Sequence, residues 1–393
     1  SGDGSALFKY APPTGFKALT TSNMPDITIG PGQDTQADDF FNVLLWTGDG
    51  NTSRAITGVG FAPDWIWIKC RTNAEDHALE DAVRGVGKKL DSSGTEQEET
   101  TATAVLSAHG SDGFTLPAST PGNLNVNART YVAWNWKAGG KADTFNIDGT
   151  GYSSASDANL SGGNITPTGA SINTTSGFSI ISFTGNGSAN QTIKHGLSSN
   201  PEFSIIKARE VASNNNQWQL SSTHIGDDYF YFTTTASAGT AGVFPTSGDA
   251  TTVTIGRTGN VAANTNDNNT DFIMYNFHSV DGYSKFGTYI GNADSDGTFV
   301  YTGFRPAFII SSCKIGGSGN WFMLDTTRST FNEADDRLNA DANSIESTSN
   351  SDIDFLSNGF KLRTASTAGI NQNTDTMFYF AFAEAPFKFA NAR

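Results

Sequence analysis

Two short motifs carry side chains able to grip a polar ligand, Asp81-Ala-Val-Arg84 and Asp325-Thr-Thr-Arg328. They recur 18 and 19 residues after a proline, Pro63 or Pro306. Arginine offers a planar fork of donors that suits a carboxylate or a sugar, so Asp81, Arg84, Asp325 and Arg328 form a candidate binding clamp. The plainer use of the same residues is an ion pair that pins a loop. In a middle copy, Ser221-Ser-Thr-His224 takes the place of the motif.

Other chemistry finds less support. A glycosidase needs two carboxyl groups roughly 5–10 Å apart across a sugar site. Glu80, Asp81, Asp227 and Asp228 lie among many acids, and no pair stands out. The five histidines (His77, His109, His195, His224 and His278) are dispersed, without an HExxH or HxH pattern, so no catalytic metal is expected. Gly316-Gly-Ser-Gly319 lacks the lysine of a phosphate-binding loop. Asn292-Ala-Asp294-Ser-Asp296-Gly297 is rich in oxygen ligands, but Gly303 holds the twelfth position, where a calcium loop needs an acid. It reads as an Asp/Gly turn, and the Asn264–Asn269 run as a solvated loop. No enzyme and no cofactor are therefore expected.

The elements that would position these residues occur three times. Each copy opens on a short strand with an aromatic residue before a Gly-Asn/Asp turn, seen at Trp46-Thr-Gly-Asp49, Phe183-Thr-Gly-Asn186 and Tyr289-Ile-Gly-Asn292. A proline-led strand follows at Pro63, Pro201 and Pro306. Each copy closes on paired rings, Trp134/Trp136, Tyr275/Phe277 and Phe380/Phe382. Spacing of i, i+2 puts both rings of a pair on one strand face, where core packing is expected, with Asn135 facing the other way. A stacking platform for sugars is the alternative use of Trp65, Trp67, Trp134 and Trp136. Cys70 and Cys313 fall at equivalent strand positions, with Ala208 between them, and read as small core residues rather than a disulfide.

The spacing predicts an all-β chain of three tandem β-sandwich domains, jelly-roll or lectin-like, with an extended N-terminal arm. Its expected parts are an arm or linker at 1–38, repeat 1 at 39–138, a linker or extended hairpin at 139–176, repeat 2 at 177–282 and repeat 3 at 283–393. Composition agrees: of 393 residues 42 are glycine and only 16% are charged. A net charge of −15 disfavours nucleic acid and anionic lipid, and no apolar run is long enough to span a bilayer. A chain beginning at Ser1 without Met is expected to be processed or a fragment.

The first unit runs from Phe41 through Trp46-Thr-Gly, Ile56-Thr-Gly-Val-Gly-Phe61, Pro63-Asp-Trp-Ile-Trp-Ile-Lys69, Asp81-Ala-Val-Arg-Gly-Val86 and Asp112-Gly-Phe-Thr-Leu116 to Tyr131-Val-Ala-Trp-Asn-Trp-Lys-Ala-Gly-Gly140. It resembles a repeat of virion proteins from marine tailed phages, found in tail-fibre-like structural polypeptides. The tail Phe380-Ala-Phe-Ala-Glu-Ala-Pro-Phe387 through Arg393 resembles the usual end of such proteins, and Tyr10-Ala-Pro-Pro-Thr-Gly-Phe16 the end of a SPRY-like domain. The middle repeat departs from the pattern, lacking Asp-x-x-Arg and Asp-Gly-Phe. The resemblance implies a structural component of a phage, a tail fibre or spike on the virion surface. Its implied partners are other virion proteins and further copies of itself, by analogy as a homotrimer. The alternative is a glycan-binding module for host attachment, and the third reading a polysaccharide depolymerase.

Overall fold

The computed structural model describes residues 29–385 apart from 31–32, 101–105, 118–123, 211–215, 226–227, 234–238, 241–249, 257–264, 316–318 and 366–368. The chain is all-β, as the sequence leads one to expect. Repeat 1 holds β1 (Phe41–Thr47), β2 (Ala55–Thr57), β3 (Trp65–Cys70), β4 (Ala78–Asp81), β5 (Ala108–His109), β6 (Gly113–Thr115) and β7 (Thr130–Trp136). The stretch between repeats carries the hairpin β8 (Phe145–Ile147) and β9 (Thr150–Tyr152), then β10 (Gly169–Asn173). Repeat 2 holds β11 (Phe178–Thr184), β12 (Gln191–Lys194), β13 (Phe203–Ala208), β14 (Gln219–Ser222), β15 (Asp228–Tyr231), β16 (Gly239–Thr240), β17 (Thr252–Ile255) and β18 (Asp271–Phe277). Repeat 3 holds β19 (Ser284–Ile290), β20 (Phe299–Tyr301), β21 (Pro306–Ile315), β22 (Phe322–Asp325), β23 (Ala334–Asn339), β24 (Ser347–Leu356), β25 (Gly359–Leu362) and β26 (Thr376–Ala383).

Each repeat builds its main sheet in one order: opening strand, closing strand, proline-led strand, fourth strand. The three sets are β1-β7-β3-β4, β11-β18-β13-β14 and β19-β26-β21-β22. Their registers correspond as well. Trp65 stands opposite Trp136, Phe203 opposite Phe277 and Phe308 opposite Phe382. Cys70, Ala208 and Cys313 face Tyr131, Phe272 and Met377, so the three small residues do occupy one position. Cys70 is a free, buried thiol. The segment 139–176 is more than a connector: β10 pairs with β11 and with β8, extending the main sheet of repeat 2 to nine strands.

One face of each main sheet is covered by its own outer strands. In repeat 1, β2-β6-β5 covers Trp46, Ile66, Ile68, Tyr131 and Ala133. In repeat 2, β12-β17 covers Phe183, Ile181, Ile206, Phe272 and Met274. The opposite faces of all three sheets meet in one common core, to which Trp65, Trp67, Trp134, Trp136, Tyr275, Phe277, Phe380 and Phe382 contribute. The repeats follow one another along the chain but converge on this core rather than standing as separate beads.

Period-2 geometry explains why both faces can be apolar. Trp134 and Trp136 point into the common core while Tyr131 and Ala133 point into the sandwich. The cross-repeat ring contacts are close: Trp65 on Tyr275 at 4.7 Å, Phe203 on Phe380 at 5.0 Å and Phe41 on Phe382 at 5.2 Å. Such pairs add about 0.5–1.5 kcal/mol each beyond the area they bury. The tryptophans expected to pack do so. Asn135 is fully buried and donates to the carbonyls of Asn42 and Ala133.

Candidate functional site

Asp81 ends β4, where the chain turns back over itself. Its Oδ1 accepts the amide N–H groups of Val83 (3.1 Å) and Arg84 (2.8 Å). Its Oδ2 accepts Arg84 Nε at 2.5 Å and the Tyr275 hydroxyl at 2.7 Å. Arg84 donates further to the carbonyls of Lys88 and Leu79 and to Glu98. Asp325, at the end of β22, repeats this. Its Oδ1 accepts from Thr327 (3.1 Å) and Arg328 (2.8 Å), and its Oδ2 from Arg328 Nε (2.5 Å) and Trp134 Nε1 (3.0 Å). Arg328 completes the set with Met323 O and Glu346. All four clamp side chains are 0% exposed. Burial alone would raise the Asp81 carboxyl, but the Arg84 guanidinium, the Arg84 amide and the Tyr275 hydroxyl outweigh it and hold it below its ordinary value. The structure thus brings Asp81 to Arg84 and Asp325 to Arg328, but deep inside, with their hydrogen bonds taken by protein.

These clamps lie on seams between repeats. Tyr275 of repeat 2 reaches the Asp81 of repeat 1, and Trp134 of repeat 1 reaches the Asp325 of repeat 3. The glutamates bridge in the same sense. Glu98 of repeat 1 takes Arg209 of repeat 2 at 2.9 Å through both carboxylate oxygens. Glu346 of repeat 3 takes Arg71 of repeat 1 likewise at 2.9 Å. A third set of bonds goes right round. His77, Trp218 and Trp321, each four residues before the end of its fourth strand, meet carbonyls of the neighbouring repeat: Asn339 and Ala342, Asp91, and Tyr231 respectively. Repeat 1 thus contacts repeat 3, repeat 2 contacts repeat 1 and repeat 3 contacts repeat 2, a closed cycle with three-fold pseudo-symmetry in its contacts.

The middle repeat breaks the clamp on both sides of its seam. The register places Ser222 opposite Phe203 as Asp81 stands opposite Trp65. The true counterparts of Asp81 and Arg84 are therefore Ser222 and Ile225, one residue beyond the expected Ser221 and His224. The ring that would have supplied a donor is Phe380, which has no polar atom and instead packs on Phe203. Acid, base and donor are lost together, so no carboxylate or guanidinium is left at this position without its partner.

One repeated device was missed in the sequence. Asn125, Asn266 and Asn371 each lie five residues before a closing strand. Their side-chain oxygens accept the amides of Asp49, Asn186 and Asn292 at 3.3, 2.9 and 2.9 Å, latching the Gly-Asn/Asp turns. The glycine before each turn is forced: a Cβ on Gly48, Gly185 or Gly291 would fall 2.1–2.2 Å from a carbonyl oxygen. The equal spacing was the available signal. In the calcium-like loop, Asn292 accepts from the Asp294 amide and Asp294 from the Asp296 amide, as in a turn, and Lys361 bonds Asp296.

A family profile for a domain of unknown function, DUF7483, matches residues 36–386. The chain belongs to the DUF7483 family. No curated protein and no solved structure matches it. The DUF7483 match begins shortly before β1 and ends just past β26, so one family unit spans all three repeats and their shared core.

The remaining candidates within the DUF7483 unit are spent on architecture or lie elsewhere. Glu80 accepts the amides of Leu106 and Gly87. Asp227 and the Asp228 side chain lie outside the described residues, as does Asn264. Among the described residues no group of three His, Cys, Asp or Glu could hold a metal ion. A cleft of about 210 Å³ opens at the seam of repeats 1 and 2, lined by Gln97, Glu98, Thr100, Arg209, Glu210 and Asp271. Its only cation, Arg209, is already held by Glu98.

Proposed function

We propose that this chain is a structural component of a tailed-phage virion, a tail-fibre, spike or surface-fibre module displayed on the particle exterior. The observation that carries this reading is the use made of the charged side chains: the buried Asp, Arg and Glu hold three repeats around one core. The family-like repeat pattern in the sequence supplies the phage context. Three-fold symmetry, which fibres usually take from three chains, is here approximated within one, and such a unit suits a place on a three-fold axis beside other virion proteins. Self-association into a homotrimer remains part of the proposal. The test is to purify particles and locate the chain by mass spectrometry and cryo-electron microscopy. Density for the three-repeat unit on tail or capsid is expected; absence of the chain from washed particles would refute it.

Host attachment through surface sugars is a second reading, and one observation favours it. Phe299 and Tyr301 stand exposed on the same side of one strand.

A further inference from the structure

We propose that the outer face of β20 is a saccharide platform, on which Phe299 and Tyr301 stack against the apolar faces of an uncharged polysaccharide. The proposal deepens the attachment reading and rests on it. Among the described residues, aromatic side chains are overwhelmingly core residues, yet Phe299 is 45% and Tyr301 65% exposed. Being i, i+2 on a strand, they share a face, roughly 6.5 Å apart along it. Val300 between them points inward and is buried.

The fold does not require rings here. Strands β2 and β12 are the counterparts of β20 in the other repeats, pairing with β6 and β17 as β20 pairs with β25. Beside their inward Ile56 and Ile193 stand Ala55 and Thr57, and Thr192 and Lys194. One repeat alone carries the aromatic pair.

The surroundings keep the rings open. A Cβ on Gly303 would lie 3.6–3.9 Å from the Tyr301 ring, and one on Gly359 would lie 3.1 Å from Phe299 Cε2. Gly359 is also the cross-strand partner of Tyr301. Each ring thus runs over a glycine, with no side chain there to stand up beside it. Two flat aromatic faces side by side match the C–H faces of successive sugar rings.

Charge selects among saccharides. Lys361, opposite Phe299, is paired with Asp296, and Arg363 with Glu333 and Asp354. These flanking charges neutralise one another while leaving polar atoms for hydroxyl groups. A chain of net charge −15 repels polyanions, so an uncharged polymer is the fitting occupant.

The test is affinity electrophoresis of the full chain through gels cast with dextran, mannan or hydroxyethyl cellulose. At least one polymer should retard it. Phe299→Ala with Tyr301→Ala should weaken that binding tenfold or more, with an unchanged circular dichroism spectrum. Phe331→Ala, removing a lone phenylalanine that is 85% exposed, should leave it intact. No retardation by any polymer would overturn the proposal, as would full retention by the double variant. So would a wild-type dimer that the double variant breaks, since the rings would then serve a second copy. Lack of sugar binding by a chain found in purified particles sinks the platform alone; sugar binding by a chain absent from them sinks the virion reading alone.

Discussion

Replacing Tyr275 by Phe removes one hydroxyl at a seam, which donates to Asp81 and accepts a long 3.5 Å bond from Arg84 Nη2. The ring stays, with its 4.7 Å stacking on Trp65, and only the hydroxyl at 2.7 Å from Asp81 Oδ2 is lost. A hydrogen bond to a buried charged group contributes about 1.5–3 kcal/mol. Asp81 keeps three other donors, the two amides and Arg84 Nε, which puts the expected loss near the lower end, about 2 kcal/mol. With an unfolding entropy near 2.1 cal/mol/K per residue, that is a fall in melting temperature of about 3 °C for a unit of this size. The middle repeat supplies the control. Asp81→Ser with Arg84→Ile installs the Ser222 and Ile225 solution, and in that background Tyr275→Phe should cost nothing, because the acceptor is gone. Urea unfolding of the four proteins closes the cycle, with an expected coupling near 2 kcal/mol. A Tyr275→Phe cost under about 0.5 kcal/mol, or one that persists without Asp81, would refute the claim that the clamp joins the repeats.

Three further outcomes follow from the same geometry. Gly185→Ala should destabilise by about 2 kcal/mol or more in urea, because its Cβ would fall 2.2 Å from Asp267 O, and the equivalent Gly48→Ala should match it. Asp91 is pushed up to about 6 by burial, above its unfolded value near 3.9. The folded state therefore binds the extra proton between those pH values, so this group's contribution to stability falls as pH rises from about 4 to 6; Asp64 and Asp352 are raised in the same way, and Asp91→Asn should make that part of the profile shallower. Cys70, in a Cys313→Ser chain, should resist thiol reagents under native conditions and react only on unfolding, as its burial requires.

Much of this fold was legible in the residues because a strand writes its geometry into sequence with a period of two. The rings at 134/136, 275/277 and 380/382, the leading prolines and the Gly-Asn/Asp turns mark the opening, proline-led and closing strands of each main sheet. The sharing of one core was harder to see. A strand apolar on both faces looks the same whether its second face meets its own outer sheet or a neighbouring repeat. The Asp-x-x-Arg motifs were visible as pairs, yet their third partners, Tyr275 and Trp134, lie 194 and 191 residues away and belong to a different repeat. A short motif cannot announce such a partner. The loss of Asp, Arg and polar ring together at the third seam becomes intelligible only once the register is known. The latch asparagines were spelled out at constant spacing, but within loops whose composition hides one asparagine among many.

That three repeats fold around a single core is tested most directly by scanning calorimetry of the whole chain. One transition is expected, with the van't Hoff enthalpy equal to the calorimetric enthalpy. Two or three separable transitions, or a van't Hoff value near one third of the calorimetric one, would mean that the repeats melt independently and that their inner faces do not depend on one another.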